Sequence, residues 1–565
     1  MRRFLLPLIF LLALVLRFWN LGSYPEAIDE DEMALGYYGY SLVKNGTDEY
    51  GNKFPVYFQS AGDYKYGLYS YLAAIPVWLF GLNPVTTRSV AALAGALSVV
   101  AIYFLALTIF NKKRYALIAA FVLAVAPTHI HFSRVAYNNI LGALFATVAI
   151  TFYLHFLKKF DKKNVLLALG FFVLSIYSYQ AYRIFLPAVF ILLALLLPTK
   201  NRLKAILVSL FAVAVVGLSF ISPAGRARSQ DFSILINKPK LIEQYTEDSL
   251  GETPLLLTRA LHNKIAATSL GVLNRYFSYF DPRFLFVDTA QAERHTTPDM
   301  GLFYLIEAPL FLLGILFLLK IGKSMVIPLV LLLASPLAAS LVIEARSTTR
   351  GIIIVYALSL IIALGIYFLT SIKKQAKFSV GLLALLYLAN FIYFFHQYTV
   401  HKIYHHPWYS DVGLKEIVMR VNELYDGYDA VVMSNGHYIP YLFYNKVDPK
   451  VFIQKSEFAD QALTRGVRVI RYDKIFFNMP YECPAAGKER VLYVCFGFRV
   501  PQNADLVDVI RFRDGQPAIV LVEFRPPKER MSVKLPERVE YSKDIDSRFE
   551  TGVLPEDYEY YWPVQ

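Results

Sequence analysis

The chain has 565 residues, of which 56% are hydrophobic, 15% aromatic and only 18% charged. A soluble globular domain has about 25% charged residues, and repeated apolar runs of roughly 15 to 22 residues indicate a polytopic membrane protein. The formal net charge of +13 does not indicate nucleic-acid binding. Much of the Lys and Arg lies in short turns between apolar runs, where positive charge sets membrane topology.

Eleven membrane-spanning helices are predicted from the apolar runs. They lie near 4–20, 89–110, 115–130, 138–157, 165–181, 184–198, 204–222, 302–319, 325–343, 351–371 and 378–396. The run 68–82 is short and contains Pro76, so we interpret it as an interfacial or re-entrant helix. Five basic turns then fall on the side of the N-terminus, as the positive-inside rule requires of cytoplasmic loops. These turns are 111–114, 158–163, 200–204, 320–323 and 373–377.

The same parity places the loops 21–88 and 222–301, and the tail from about residue 401, outside the cytoplasm. Long loops tend to be functional. The chain therefore divides into a transmembrane domain, 1–400, and a soluble domain, 401–565. In the latter, an amphipathic helix and several β-rich runs predict a small α/β fold. The helix is predicted at 411–425, and the strands at 429–433, 467–476, 490–496 and 518–524.

Cys483 and Cys495 are the two cysteines of the chain, and both lie in the soluble tail. If the tail faces an oxidising compartment, we expect them to form a disulfide that closes a short loop. Two buried free thiols are the alternative. No second pair accompanies them, so the spacing does not indicate a zinc site.

A run of four acids follows the first apolar helix, as Asp29-Glu30-Asp31-Glu32. The segment after it is polar, aromatic and rich in glycine, unlike the apolar chain around it. An acidic run in general forms a solvated loop, because like charges repel. At the exit of a membrane helix, however, carboxylates lie where a lipid head group and a water-borne substrate meet. The run is thus the first candidate for a functional site.

Several longer segments resemble one family. They are "ALGYYGYSLVKNGTDEYG" after the acids, "DYKYGLYSYLAAIPVWLFGLNPVTTRSVAALAG", "HIHFSRVAYNN", "YSYQAYRIFLP" and "ERHTTPDMGLFYLIEAPLFLLG". In this order they are similar to prokaryotic members of the GT-C glycosyltransferase superfamily, related to protein O-mannosyltransferases and to the aminoarabinose transferase of lipid A. The resemblance covers about residues 1–400 and specifies the superfamily rather than the substrate.

The resemblance implies that a sugar is transferred, with inversion, from a polyprenyl-phosphate carrier to an acceptor outside the cell membrane. Such enzymes carry an essential Asp, usually in an Asp-Glu pair, in the first outside loop. Aligning "DEMALGYYGYSLV" on that pattern selects Asp31 and Glu32 as the catalytic pair. Asp31 is the candidate general base, and Glu32 could assist it, position the acceptor or bind a metal. A register two residues earlier would select Asp29.

The leaving phosphate requires cations near the membrane surface. Lys65 precedes the interfacial helix, and its place in "DYKYGLY" resembles the phosphate-contacting Lys of the aminoarabinose transferase. Further candidates share the same outside face; they are Arg134, Arg183, Arg294, His295 and Arg350. For each of these taken singly, the alternative is a side chain that extends to lipid head groups.

Tyr37, Tyr64 and Asp63 are candidates for binding the sugar or the acceptor, and an aromatic belt at the interface is the alternative for the tyrosines. His129 and His131 with Asp31 are conceivable metal ligands, but a divalent metal is not predicted. The lipid-linked sugar is the only cofactor-like molecule that we expect. A lipid carrier and a protein, lipid or glycan acceptor are the expected partners.

Functions other than sugar transfer are the alternatives. A polymerase or ligase of lipid-linked glycans is an alternative within enzymes. A transporter or flippase of lipid-linked sugars should instead have ionisable residues near mid-membrane on broken helices. A sensory protein with an outer binding domain leaves the carboxylates and cations unexplained. Because the candidates gather at one outside face, the sequence favours a multi-pass membrane glycosyltransferase.

Overall fold

The computed structural model describes residues 4–60, 63–222, 225–226, 241–289, 293–320, 322–342, 346–372, 376–404, 411–461, 466–479, 483–496 and 500–524. It consists of a helical bundle followed by a domain built on a β-sheet. The loop residues 227–240 and the turn residues 373–375, which belong to predicted outside and cytoplasmic segments, lie outside this description.

The helices of the bundle follow the apolar runs closely. Before the long loop they are α1 Leu5–Phe18, α2 Glu30–Asn45, α3 Leu68–Phe80, α4 Pro84–Phe110, α5 Lys113–Val125, α6 Pro127–Phe132, α7 Asn138–Lys159, α8 Lys162–Ile176, α9 Tyr182–Leu196 and α10 Arg202–Leu218. Within the loop they are α11 Ile242–Leu250, α12 Leu255–Leu261, α13 Lys264–Ser278 and α14 Pro282–Phe286. After it they are α15 Glu307–Leu318, α16 Val326–Ala334, α17 Leu337–Ser340, α18 Thr348–Gly351, α19 Ile353–Leu369 and α20 Ala376–His396.

Two predicted spans are interrupted by proline. The run 115–130 divides into α5 and α6 at Pro127, and the run 325–343 divides into α16 and α17 at Pro336. Proline lacks the amide hydrogen that a helix interior needs and restricts the residue before it. A hydropathy pattern does not register such a break between helices.

By length and composition, three of the described helices are long and apolar enough to cross a membrane. They are Pro84–Phe110, Asn138–Lys159 and Lys377–Tyr404. Six shorter apolar helices accompany them; they are Leu5–Phe18, Leu68–Phe80, Tyr182–Leu196, Glu307–Leu318, Val326–Ser340 and Ile353–Leu369. The number of eleven spans therefore stays a prediction.

Helix α3 has the dimensions of an interfacial segment. Its 13 residues span about 20 Å, against about 30 Å for the hydrocarbon core of a bilayer. Trp78 and Phe80 are exposed at its C-terminal end, whereas Tyr69 and Ala73 are buried against the protein. One face thus packs inward, and the other leaves large apolar side chains uncovered.

The tail forms the α/β domain that its composition predicts. Its helices are α21 Lys402–Tyr404, α22 Leu414–Leu424, α23 Tyr438–Asn445 and α24 Pro449–Lys455. Its strands are β3 Ala430–Ser434, β4 Ser456–Gln461, β5 Gly466–Tyr472, β6 Ile475–Met479, β7 Val491–Phe496, β8 Ala504–Arg511 and β9 Pro517–Phe524, numbered after the hairpin strands β1 Tyr57–Ser60 and β2 Asp63–Tyr66. Among the described residues, seven strands form one sheet in the order β4-β5-β6-β3-β7-β9-β8. In the described part of this sheet, β3 pairs in parallel with β6 and β7, and the other pairs are antiparallel.

The predicted strand 467–476 is in fact a hairpin, β5 and β6. Asp473 turns the chain between them with a positive φ of 54°. Asp tolerates this left-handed conformation better than most residues. The hydrophobic pattern of the run is continuous, so only backbone pairing reveals the turn.

The segment that follows α1, which is predicted to lie outside, packs into the tail domain. Met33, Tyr37 and Tyr38 of α2 share one buried cluster with Ile417 of α22 and Leu442 of α23. The sequence-based boundary at residue 400 separates these partners. Apolar burial is the main stabilising contribution in folding, so α2 is part of the core of both regions.

Candidate active site

Helix α2 begins within the acidic run. Asp29 is the N-cap, and its carboxylate accepts a hydrogen bond from the amide of Glu32 at 2.8 Å. The Glu32 side chain accepts in return from the Asp29 amide, which completes a capping box. Acidic residues in the first turn are stabilised by the positive end of the helix dipole. The four acids are therefore an ordered helix start, and not the solvated loop that was the alternative.

Asp31 is the exposed carboxylate of this turn. Its side chain is 51% exposed and forms an ion pair with Lys65, whose side chain is 15% exposed. Lys65 lies on β2 opposite Phe58 of β1. Phe58 is buried and stacks on Tyr38 of α2, with ring centroids 5.0 Å apart. The hairpin is thus held against α2, and it brings the two main residues predicted from sequence together.

Glu32 occupies a different environment from the one expected of a catalytic residue. It is 1% exposed, and both of its oxygens accept from Arg88 of α4 at 2.8 Å. The amide of Ala136 donates to the same carboxylate at 2.6 Å. A carboxylate with this many donors has no free lone pair directed at solvent. The position of Glu32 therefore indicates that it anchors the start of α2, in place of the predicted contact with substrate.

The other two acids of the run, Asp29 and Glu30, have raised pKa values and therefore keep a proton to a higher pH than usual. Burial, followed by the charges of Glu32 and Asp31, raises the pKa of Asp29 to about 7. Burial likewise raises the pKa of Glu30 to about 8, with Asp31 as the next cause. Asp29 also accepts a hydrogen bond from the hydroxyl of Tyr137. Negative charge is thus reduced at the buried acids, while Asp31 faces outward.

Arg294 lies near these carboxylates. Its charge opposes the effect of burial on the pKa of Asp29 and of Asp411. Its Nε donates to His295 Nε2 at 3.2 Å. Burial lowers the pKa of His295 well below its usual value, with the charge of Arg294 as the next cause, so the ring is neutral at pH 7. His295 is therefore not the cation that the sequence predicted.

Arg350 belongs to the same neighbourhood. Its charge also lowers the pKa of His295, after burial and Arg294, and its Nη1 donates to the Ser347 hydroxyl at 3.3 Å. Arg294 and Arg350 thus stay candidates for the phosphate.

Two residues predicted to bind the phosphate, Arg134 and Arg183, form other contacts. Arg134 is buried, and its Nη1 and Nη2 donate to five backbone carbonyls of the first helix and the turn after it. They belong to Leu16, Arg17, Trp19, Asn20 and Tyr24. Arg134 therefore fixes the C-terminal end of α1, and phosphate binding is not compatible with these contacts.

Arg183 is also buried, and it lies on the other face of the hairpin. It donates to the hydroxyl of Tyr57 at 2.6 Å and to the carbonyl of Gly225 at 3.3 Å. Its guanidinium lies over the ring of Tyr66. Successive residues of a strand point to opposite faces, so Tyr66 and Lys65 face apart. Arg183 thus supports the hairpin and does not converge with Lys65.

The residues predicted to bind the sugar or the acceptor lie in different surroundings. Tyr37 is fully buried, and its hydroxyl donates to the carbonyl of Val447 in the tail domain at 2.9 Å, which excludes stacking on a sugar. Tyr64 is partly buried on β2, opposite Gln59. The backbone of Asp63 pairs with Ser60 in the same hairpin, and its side chain lies outside the described part.

Three residues of this region were not found from the sequence. Arg88 holds Glu32, Tyr137 holds Asp29, and Asp411 accepts a hydrogen bond from the amide of Glu30 at 3.2 Å. An arginine within an apolar run was the available signal for Arg88, since a charge there needs a partner. Nothing in the sequence pattern marks Asp411.

The metal-ligand hypothesis gains no support from His129. Its ring lies between Arg17, at 2.7 Å, and the hydroxyl of Tyr356, at 3.0 Å. Within the described residues, no three His, Cys, Asp or Glu side chains are grouped so that they could hold a metal ion. In the tail, Cys483 and Cys495 are joined by a disulfide bond.

Comparisons with known proteins give the context of this site. Residues 8–222 match the family described as Dolichyl-phosphate-mannose-protein mannosyltransferase. No curated protein matches the chain. Among solved structures, ArnT from Cupriavidus metallidurans bound to undecaprenyl phosphate has a TM-score of 0.50 at 11% identity, over 91% of this chain and 97% of that one.

The archaeal oligosaccharyltransferase AglB from Archaeoglobus fulgidus, in complex with an inhibitory peptide and a dolichol-phosphate, has a TM-score of 0.49 at 14% identity. The alignment covers 78% of this chain and 63% of that protein, so the chain spans less than two thirds of its length. The first part of the chain, residues 8–222, is thus similar to a mannosyltransferase family, and the fold of nearly the whole chain is similar to that of ArnT.

Proposed function

We propose that the protein transfers a sugar from a polyprenyl-phosphate carrier to an acceptor at the extracytoplasmic surface of the cell membrane. The observation that carries the proposal is the pair of Asp31 and Lys65: an exposed carboxylate beside a lysine, directly before the apolar helix α3. The similar ArnT structure contains undecaprenyl phosphate, which supports a lipid-phosphate donor here.

The residues have distinct roles in this reaction. Asp31 takes the proton of the acceptor hydroxyl or amine while the acceptor oxygen or nitrogen attacks the anomeric carbon. The bond between that carbon and the phosphate oxygen breaks, and attack from the opposite face inverts the configuration. Lys65 neutralises the phosphate that leaves, assisted by Arg294. The exposed side chains of Trp78 and Phe80 offer apolar contact to the lipid chain.

We also propose that this site and the tail domain lie outside the cytoplasm. The support is that residues of two of the predicted basic turns contact the C-terminal ends of neighbouring helices. Arg114 donates to the carbonyl of Thr370 at 2.8 Å, and Lys158 donates to that of Thr108 at 2.7 Å. Cysteines placed at Lys162 and at Glu457 test the orientation, since an impermeant thiol reagent added to intact cells should label only the second.

Transfer is tested by mass spectrometry of the products formed from undecaprenyl-phosphate-linked hexose and a crude cell-surface fraction. An acceptor that gains one hexose mass, with release of undecaprenyl phosphate, is the expected result. Products with repeated units would instead indicate a glycan polymerase, and transfer of an intact oligosaccharide a ligase. Movement of the lipid-linked sugar across reconstituted vesicles without any new product would indicate a flippase and refute the proposal.

A further inference from the structure

The start of helix α2 is held from two sides. Within the helix, Asp29 caps the amide of Glu32. From the tail domain, the carboxylate of Asp411 accepts a hydrogen bond from the amide of Glu30 at 3.2 Å, across 381 positions of the sequence. The first amides of a helix have no acceptor within it, so each needs a partner of this kind. Asp411 is therefore a second cap supplied by another domain.

The backbone of Asp411 has a conformation that is rare for residues other than glycine. Its φ is 54°, in the left-handed region. Gly413, two residues on, also has a positive φ and precedes helix α22. Non-glycine residues occur rarely in this region, and Asp and Asn are enriched among them. The short segment 411–413 thus turns sharply next to α2, and its first side chain meets the helix start.

The tail domain also contacts the rest of α2. The hydroxyl of Tyr40 donates to the carbonyl of Lys446 at 3.1 Å, one residue before the acceptor of Tyr37. Strand β1 of the hairpin that carries Lys65 lies against β5. Just after α2, Tyr438 donates to the buried carboxyl of Glu49 at 2.7 Å. Both elements that bring Asp31 and Lys65 together are therefore supported from the same side.

We propose that Asp411 is a positioning residue for the transfer reaction: by capping helix α2 from the tail domain, it holds Asp31 opposite Lys65. The inference rests on the proposed function. A general base must lie within hydrogen-bond reach of its proton, and a displacement of about 1 Å costs on the order of 100-fold in rate. Because the ends of helices fray, an external cap on the amide of Glu30 matters for a base at the next residue, Asp31.

Replacements at Asp411 separate the cap from the charge. Asp411→Ala removes the acceptor and should lower kcat by about 10- to 100-fold, with the KM for the donor within about threefold. Asp411→Asn keeps an amide oxygen at the same place and should retain kcat within about threefold. Asp429→Ala is the matched control, because it removes an exposed carboxylate of the same domain that pairs only with Arg490 among the contacts described.

Amide hydrogen exchange gives a reading that does not depend on activity. Peptides that cover residues 28–35 should exchange faster in Asp411→Ala than in the unmodified protein, and should be unchanged in Asp411→Asn and in Asp429→Ala. Unchanged exchange and kcat in Asp411→Ala, or equal losses in Asp411→Ala and Asp411→Asn, would overturn the inference. Lack of transfer by the unmodified protein would count against the proposed function, while the exchange result would still decide the cap.

Discussion

Replacing Asp31 by Asn tests the proposed chemistry most directly. Asn has nearly the size of Asp and keeps its hydrogen bonds, but it cannot accept a proton. Loss of a positioned general base lowers the rate by about 100- to 10,000-fold, equivalent to about 2.7 to 5.4 kcal/mol of activation free energy. Asp31 is half exposed and lies in the first turn, so the fold should tolerate the change.

The same replacement should spare donor binding. Ion pairs at exposed sites contribute about 0.2 to 1 kcal/mol, and the carboxylate of Asp31 is 51% exposed. Its removal frees Lys65 from a competing anion. The affinity for undecaprenyl phosphate should therefore stay the same or increase by at most about fivefold. A selective loss of kcat with intact binding is the signature of a base.

The assay combines product mass with binding of undecaprenyl phosphate to the purified protein. Asp429→Asn serves as the control, because it removes one exposed charge of the tail that, among the contacts described, pairs with Arg490. Activity of Asp31→Asn above about a third of the unmodified level would refute the role of Asp31. If Asp29→Asn abolished transfer and Asp31→Asn did not, the catalytic acid would lie two residues earlier.

Three further outcomes are expected. Lys65→Ala should weaken undecaprenyl-phosphate binding by about 10- to 100-fold, because a hydrogen bond to a charged group is lost. Unchanged affinity in the binding assay would exclude a contact between Lys65 and the phosphate. Burial raises the pKa of Asp29 from 3.8 to about 7, so the native carboxyl keeps a proton that the unfolded one loses, and stability falls as the pH rises from about 4 to about 7. Asp29→Asn, which can still cap, should reduce this fall in thermal-unfolding midpoints, and the part that remains is expected from Glu30, whose pKa burial raises to about 8. An equal slope in both proteins would contradict the reasoning. Without reductant, alkylation should leave Cys483 and Cys495 unmodified in intact-mass spectra, and reduction should destabilise the tail by about 3 kcal/mol in the chain-entropy model; two alkylated thiols in the unreduced protein would be inconsistent with the bond.

Features that depend on neighbouring residues were predictable. The apolar runs predict the bundle helices because the length and composition of an apolar segment can be read directly from the sequence. Asp29 followed by Glu32 is a capping pattern that can be read from four residues. Lys65 was identified from its place before α3. Each of these features requires only the order of residues along a short stretch.

Which acid of the run is exposed was decided by the tertiary structure. Residues three apart share one face of a helix, whereas successive residues are turned by about 100°. Asp29 and Glu32 therefore point into the protein together, and Asp31 points away. The sequence contains this period, but it does not say which face is covered. Arg88 decides that, because its buried charge needs the carboxylate of Glu32.

Long-range partners account for the rest of the differences. Arg134 and Arg183 were assigned to phosphate from their side of the membrane, yet backbone carbonyls and aromatic rings surround them in the fold. Asp411 lies 381 residues from the amide that it caps. Hydropathy and spacing predict where each segment lies relative to the membrane. Only packing determines which buried charges neutralise one another, because that depends on contacts between distant parts of the chain.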